Sequence, residues 1–311
     1  MLFRSARTQA EERYLRQLSE GRIPVRLRLM DDSELEGTIE FFDARFLRQA
    51  HDPLGAAVGN IERDEVAALR SSPPRDPLEL ARIHRSQRIG EQVLLRTDRS
   101  TSDAAMVDLI EGAGFGIIGS EASGYRVERL AMLPDTIASV TRILVVGLNP
   151  GVTSTESGIA FAGPGNRFWP AAVEAGITRH SRDPDRAARA DGLALTNLVR
   201  RTTARAAQLQ AREYRAGRAR LERLVGRTEP AVVCFVGLAG YRAAFVANAQ
   251  AGRCVPPIGR TPVYLMPSTS GLNARCTFGE LAEHFRAVGA LADEVAFSGR
   301  RARSVDAPPW R

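Results

Sequence analysis

Two hydrophobic patterns divide this chain into regions with different predicted folds. In the N-terminal region, Val25, Leu27 and Leu29 alternate with polar residues, and a similar alternation covers residues 35–41. A polar turn at residues 31–33 separates these two runs. Alternation with a period of two residues is typical of strands that bury one face. The first 75 residues are therefore predicted to form a small β-barrel.

Beyond residue 140 the apolar runs are continuous. They occur at residues 142–146, 193–198, 231–237 and 262–266. Helix-like stretches lie between these runs and after the last one. Continuous apolar strands separated by helices are typical of a parallel sheet that helices cover on both faces. The fold class predicted for residues 136–298 is α/β, a three-layer αβα domain with a central, mainly parallel sheet.

Two further regions complete the predicted domain organisation. The Pro- and Ser-rich segment “SSPPRDP” at residues 71–77 has the composition of a linker. Strand, helix and strand patterns follow it, so residues 76–135 are predicted to form a small α/β unit that includes the linker. The polar and basic residues 299–311 are predicted to be a disordered tail.

The composition excludes several kinds of chemistry. All 43 basic residues are Arg, and without Lys the chain has neither a Walker-type phosphate loop nor a Lys Schiff base. The three cysteines lack CxxC spacing, which argues against a disulfide framework, a zinc site and an iron–sulfur cluster. No metal or cofactor is therefore predicted. Because no long apolar run or signal-peptide core is present, the expected location is cytoplasmic, without membrane contact.

Charge is distributed unevenly between the two halves of the chain. Residues 1–140 carry 19 Arg against 23 Asp and Glu, a net charge of −4. Residues 141–311 carry 24 Arg against 13 acidic residues, a net charge of +11. An excess of positive charge favours a polyanionic partner such as nucleic acid for the C-terminal half. A solvated surface and a protein-binding face are equally compatible with the charge alone.

Two loops of unusual composition follow predicted strands. “GLNPG” at residues 147–151 begins at the end of the first apolar run, and “MPSTSGLNAR” at residues 266–275 begins at the end of the last. Parallel sheets bind their ligands at the carboxyl ends of their strands. These two loops are therefore the expected walls of a binding site.

Together with “FAGPGNRFW” at residues 161–169 and “LTNLVRRTT” at residues 195–203, these loops resemble the mismatch-specific uracil/thymine-DNA glycosylase family of the uracil-DNA glycosylase superfamily. The resemblance covers about residues 141–292. It implies a monofunctional enzyme of base excision repair that flips uracil, or thymine or another damaged pyrimidine, out of double-stranded DNA. Water would cleave the N-glycosidic bond at a G·U or G·T mismatch and leave an abasic site. Such a protein would associate with the nucleoid.

The resemblance places Asn149 at the catalytic position, where its side-chain oxygen would orient the attacking water. Phe161 is the candidate to stack on the flipped base. Backbone N–H groups of the Gly- and Pro-rich loop could approach the edge of the base. An Asn that caps its own turn, and a Phe that fills the core, are the alternative interpretations. The other predicted pocket residues are Leu148, Pro150, Gly151, Ser154 and Ser268.

The second loop matches the wedge loop of that family at Gly271 and Leu272. Leu272 would fill the space that the flipped nucleotide leaves, and Asn273 or Arg275 would contact the unpaired base or a phosphate. “SGLNAR” is one residue longer before its Arg than the family pattern, so the register of the last two assignments stays open. Ordinary solvation of the loop is the alternative for both residues.

The N-terminal region carries a separate resemblance. “GTIEFFD” at residues 37–43, within about residues 20–75, resembles Sm-like or Hfq-like barrels. An unrelated SH3-type barrel or a protein-docking module is equally compatible with the pattern. Residues 1–135 could therefore bind an RNA or a repair protein. The alternative function for the whole chain is a non-catalytic nucleic-acid-binding protein built on a glycosylase scaffold.

Overall fold

The computed structural model of the protein describes residues 77–96, 103–121, 124–138 and 140–305, and before them residues 16, 19–20, 24–29, 34–42, 46–50, 59–62 and 66–71. The chain divides into two compact units, Met1–Leu130 and Ala131–Arg311. Most of the predicted linker at 71–77 and the last six residues of the predicted tail lie outside the described residues.

The described residues of the first unit include a sheet of five antiparallel strands in the order β4-β3-β2-β1-β5. The strands are β1 (Pro24–Leu29), β2 (Glu34–Phe42), β3 (Phe46–Ala50), β4 (Gly59–Glu62) and β5 (Val66–Ser71). Val25 pairs with Gly37 and Leu27 with Leu35, so the two alternating runs form neighbouring strands. The predicted turn between them lies outside the described residues, and the Sm-like resemblance stays a prediction.

The same unit contains a three-stranded antiparallel sheet with two helices. Its elements are α1 (Pro77–Ser86), β6 (Gln92–Arg96), α2 (Asp103–Gly112), β7 (Phe115–Glu121) and β8 (Gly124–Arg129), and the strand order is β6-β8-β7. The sequence did not predict β7, because its Gly-rich run follows α2 almost directly. Gly114 makes this sharp change of direction with a φ of 90°, a left-handed conformation that favours glycine.

The sheet of the second unit is mainly parallel, as predicted. Strands β9 (Ile143–Gly147), β10 (Leu193–Asn197), β11 (Val232–Val236) and β13 (Thr261–Met266) correspond to the four apolar runs, and β12 (Gly252–Ile258) pairs antiparallel with β13. The strand order is β10-β9-β11-β13-β12. The sequence did not predict β12, an edge strand whose two prolines and mostly accessible residues hide the usual strand pattern.

Within the described residues of this unit, six α-helices accompany the sheet: α3 (Val152–Ser157), α4 (Phe168–Glu174), α5 (Pro184–Asp191), α6 (Ala211–Thr228), α7 (Leu238–Ala244) and α8 (Phe278–Val305). The short helices α3 and α5 were not predicted. Helix α8 continues beyond its predicted end at residue 292 and into the segment predicted as a tail. In the part of the chain that the structure describes, no helix combines the length and the apolar character needed to cross a membrane.

Alternate residues of the buried strands pack against different helices. Ile143 and Val145 belong to a core that α4, α5 and α8 complete. Leu144 and Val146 belong to a second core, which α6 and α7 complete. Because successive side chains of a strand point to opposite faces, these two cores lie on opposite sides of the sheet. The predicted three-layer αβα fold is confirmed.

A buried ion cluster joins the start of the second unit to its core. The Asp135 side chain is 5% exposed and accepts hydrogen bonds from Arg220 at 3.0 and 3.1 Å and from the Thr196 hydroxyl at 2.6 Å. Arg200 lies 3.5 Å from the same carboxylate. A carboxylate removed from water needs such partners to remain charged. The segment 131–135, predicted as part of the small α/β unit, therefore packs with the second unit.

We expect Asp135→Ala to lower the free energy of unfolding by about 3 kcal/mol, because it removes a buried carboxylate and leaves two partly buried guanidinium groups without it. The matched control is Asp293→Ala, which removes an ion pair with Arg142 whose Asp side chain is 70% exposed. We expect a cost below about 1 kcal/mol for the control. Urea unfolding of both variants measures the difference. Equal losses would contradict the role assigned to the buried cluster.

Candidate functional site

Hydrogen bonds fix the orientation of the Asn149 side chain at the end of β9. Its Nδ2 donates to the carbonyl oxygens of Pro150 at 3.1 Å and Arg201 at 3.2 Å and to the hydroxyl of Thr203 at 2.7 Å, so one of its two hydrogens is shared between two acceptors. Carbonyl oxygens can only accept, so they identify the side of the amide that carries the nitrogen. Oδ1 therefore points away from these three partners, and it accepts no hydrogen bond from the described residues.

The segment after β10 supports the loop of Asn149 along its backbone. Val199 N donates to Leu148 O at 2.9 Å, and Thr203 N donates to Pro150 O at 3.2 Å. These bonds extend the parallel pairing of β9 with β10 beyond the ends of both strands. The loop is consequently held by the sheet.

An ion pair holds Arg201, whose carbonyl oxygen accepts a hydrogen bond from the Asn149 amide. The Arg201 guanidinium donates to the Glu213 carboxylate at 2.8 and 3.1 Å and to Gln208 O at 2.8 Å. Glu213 also accepts from Gln210 N at 2.8 Å, where α6 begins. The hydrogen bond from Arg201, followed by the one from Gln210, lowers the pKa of Glu213 to about 2. The Glu213 carboxylate is therefore charged at neutral pH, and its pair with Arg201 connects the site to α6.

Phe161 is held in a conformation that residues with a Cβ rarely adopt. Its φ is 57°, and this left-handed region costs an L-residue about 1–2 kcal/mol. Its ring stacks on Phe168, with centroids 4.0 Å apart and planes 12° apart, and its Cζ lies 3.4 Å from the position of a Cβ on Gly147. The next residue, Ala162, donates its N–H to the Ser154 hydroxyl at 3.1 Å. Strain maintained in this way is typical of functional loops.

Asn197, which the sequence analysis did not single out, lies beside Phe161. It ends β10 directly opposite Gly147 in the parallel register. Its Oδ1 lies 2.5 Å from the position that a Cβ on Gly147 would occupy, so only glycine fits there. The half-buried Asn197 side chain makes no hydrogen bond with the described residues. A polar amide that ends a buried strand, next to the strand that Asn149 follows, was the available signal.

The other predicted pocket residues contribute mainly to the structure of their own loops. The Leu148 side chain packs on α7, with Cδ1 2.8 Å from the position of a Cβ on Gly240. The Ser268 hydroxyl accepts from Ser270 N at 3.3 Å. Gly151 has an ordinary φ of −83°, and a Cβ there would meet no atom within 4 Å. The packing of the protein itself therefore does not explain the glycine at residue 151.

Leu272 lies at the tip of the second loop with 96% of its surface exposed. The neighbouring Asn273 points inward: its Nδ2 donates to Ser268 O at 2.8 Å, and its Oδ1 accepts from Arg275 N at 3.3 Å. The Asn273 carboxamide is thus used within the loop, whereas the Arg275 side chain is exposed. The structure brings Leu272 and Arg275 to the surface and leaves Asn273 supporting them.

The loops that carry Phe161 and Leu272 touch each other. A Cβ on Gly271 would lie 2.9 Å from Gly165 O, and Arg167 N donates to Thr269 O at 2.9 Å. Only residues without a side chain allow two backbones to approach so closely. The two loops therefore form one continuous structure at the carboxyl edge of the sheet.

A cleft of about 720 Å³ lies along β13 and α8, and Ser268, Asn273 and Arg275 of the second loop also line it. Its lining includes Tyr264 and His284, joined by a 2.9 Å hydrogen bond, but neither Asn149 nor Phe161. Burial lowers the pKa of His284 and so favours the uncharged imidazole. The described residues include no group of three or more His, Cys, Asp or Glu that could hold a metal ion.

The chain is similar to known proteins over about half of its length. A family profile described as “Uracil DNA glycosylase superfamily” matches residues 134–288. Among solved structures, the chain is similar to a solution NMR structure described as a “putative Uracil DNA glycosylase from Methanosarcina acetivorans”. The two sequences are 19% identical over 51% of this chain and 97% of that chain, with a TM-score of 0.37. The chain therefore contains a domain of the uracil DNA glycosylase superfamily, at residues 134–288.

Proposed function

We propose that this domain excises uracil from double-stranded DNA, preferentially opposite guanine, and leaves an abasic site. The observation that carries the proposal is the Asn149 carboxamide, whose nitrogen is held by three acceptors. Its oxygen is consequently oriented before any substrate binds. Such an oxygen can accept a hydrogen bond from one water molecule and hold it in line with the anomeric carbon.

The proposed reaction replaces one bond to the anomeric carbon. The bond from C1′ to the base nitrogen breaks, and its electron pair leaves with the base as an anion. The water oxygen bonds to the resulting sugar cation, and the water proton passes to solvent or to the departing base. Asn149 is neutral and cannot take this proton, so it acts by positioning. Backbone N–H groups of the adjoining loop would stabilise the charge of the leaving base.

The proposed base pocket combines stacking with one amide. Phe161 has one ring face on Phe168, which leaves the other face for a flipped pyrimidine. The carboxamide of Asn197 offers one donor and one acceptor, which suits the O4 and N3–H edge of uracil. Gly151 leaves space that a side chain would occupy, and a nucleotide backbone could approach there.

DNA binding by the domain is supported by charge and by one exposed side chain. Residues 141–311 carry a net charge of +11, which suits a phosphate backbone. Leu272 is an apolar side chain exposed on a loop that touches the pocket loop, as a wedge that replaces a flipped base would be. The proposed function assigns no role to residues 1–135, and an RNA or repair-protein partner for them stays a prediction.

Asn149→Ala should reduce excision at a central G·U pair by about 100-fold or more in single-turnover assays, since the water loses its orienting group. Binding to the same duplex should remain. Asn248→Ala, at an exposed Asn, is the matched control. An unchanged rate for Asn149→Ala would remove its catalytic role. A native chain that binds DNA but releases no base from G·U, A·U, G·T or single-stranded substrates would instead support the non-catalytic function.

Thr203→Val should slow excision by about three- to tenfold, because it removes one acceptor of the Asn149 amide at constant shape. Thr203→Ser retains the hydroxyl and is the control. The measurement is the single-turnover rate at saturating DNA, together with the affinity for a duplex that contains an abasic-site analogue. Equal rates for the Val and Ser variants would show that this hydroxyl does not orient Asn149.

Leu272→Ala should lower excision from the G·U duplex by about tenfold and leave excision from single-stranded DNA nearly unchanged, since only a paired base needs a wedge. Stability should change by less than about 0.5 kcal/mol because the side chain is exposed. Val255→Ala, at an apolar residue that is 81% exposed, is the control. Equal losses on both substrates would contradict a wedge role.

A further inference from the structure

Arg167 binds the wedge loop, residues 269–276, through main-chain carbonyl groups. Its Nη1 donates to Cys276 O at 2.6 Å, and its Nη2 donates to Asn273 O at 2.8 Å and Ser270 O at 3.4 Å. Its backbone N donates to Thr269 O at 2.9 Å. All four acceptors belong to the loop, and no role for Arg167 was evident from the sequence.

The acceptors flank Leu272 in the chain, with Ser270 before it and Asn273 and Cys276 after it. A single guanidinium therefore holds both sides of the turn. A planar fork with several donors in fixed directions can bridge such carbonyl groups, whereas the ammonium group of Lys is a single compact point. Leu272 is almost fully exposed, so its own packing does not determine its position. The loop backbone determines it, and Arg167 holds that backbone.

The same residue adjoins the base pocket. Arg167 directly precedes Phe168, whose ring is stacked against Phe161 and is fully buried. Phe168 N is also held by the Asn166 side chain at 3.0 Å. One short segment, residues 166–168, therefore contacts both the Phe161 ring and the loop that carries Leu272.

We propose that Arg167 is a positioning residue that keeps the wedge at a fixed distance from the base pocket, so that insertion of Leu272 and capture of the flipped base occur together. This inference rests on the proposed function. Arg167 touches neither the base nor the water in this arrangement and acts through Leu272. Its loss should affect paired DNA selectively, because single-stranded DNA needs no wedge.

The test compares Arg167→Lys and Arg167→Ala with the native chain on a G·U duplex and on single-stranded uracil DNA. We expect the duplex rate to fall about tenfold for both variants while the single-strand rate changes less than about twofold. Arg242→Lys is the matched control, since Arg242 donates to the main-chain carbonyl of Ala249 at 2.8 Å outside both loops. Equal losses on the two substrates would overturn the proposal.

A double variant distinguishes positioning from a general structural role. If Arg167 acts through Leu272, then Arg167→Lys should cause little further loss on the duplex in the Leu272→Ala background. Full additivity of the two losses would overturn the proposal. Since Lys retains the positive charge, its failure to restore the duplex rate would also exclude a purely electrostatic contribution.

A measurement without catalysis separates this inference from the proposed function. Hydrogen exchange of peptides that cover residues 268–276 should be faster in Arg167→Lys than in the native chain, because three main-chain contacts of the loop are weakened. Exchange elsewhere in the domain should be unchanged. Unchanged protection of the loop would overturn the inference, whereas a native chain that excises no base from either DNA would overturn the proposed function alone.

Discussion

The Nδ2 group of Asn149 donates to two carbonyl oxygens and one hydroxyl, and the geometry of the whole site depends on these hydrogen bonds. Two of the three acceptors belong to residues 201–203, which follow a different strand from the one that Asn149 follows. The site therefore exists only when β9 and β10 are paired in register. The Arg201–Glu213 ion pair links the segment after β10 to α6. The Asp135 cluster links α6 to the start of the unit.

An amide at this position determines the kind of catalysis that is available. It has no charge to stabilise a sugar cation and no basic atom to remove a proton, so the rate must come from positioning and from backbone dipoles. Positioning of a water molecule requires a rigid site, and two features of the loops provide rigidity. Phe161 is held in a left-handed conformation, and the two loops of the site approach at Gly165 and Gly271 without side chains between them.

The loop motifs were accessible to sequence analysis because each is continuous in the chain. The four parallel strands were predicted because a strand buried on both faces is apolar at every position. Strand β12 was missed because an exposed edge strand lacks that pattern, and α3 and α5 were missed because helices of six and eight residues offer few positions in which to recognise a repeat. Asn149 and Phe161 were singled out within their motifs, whereas Asn197, Thr203 and Arg167 were not.

Thr203 and Arg167 share one property, which is that their hydrogen-bond partners are distant in sequence. Thr203 accepts from a residue 54 positions away, and Arg167 donates to one that is 109 positions away. The sequence by itself determined the αβα fold, the two loops and the chemical character of Asn149, because these depend on local pattern and residue type. Only the tertiary structure decided which side of the amide faces outward, that Asn273 is used within its own loop and that Arg167 holds that loop. Hydrogen bonds depend on the distance between atoms in space, and a sequence pattern does not give these distances.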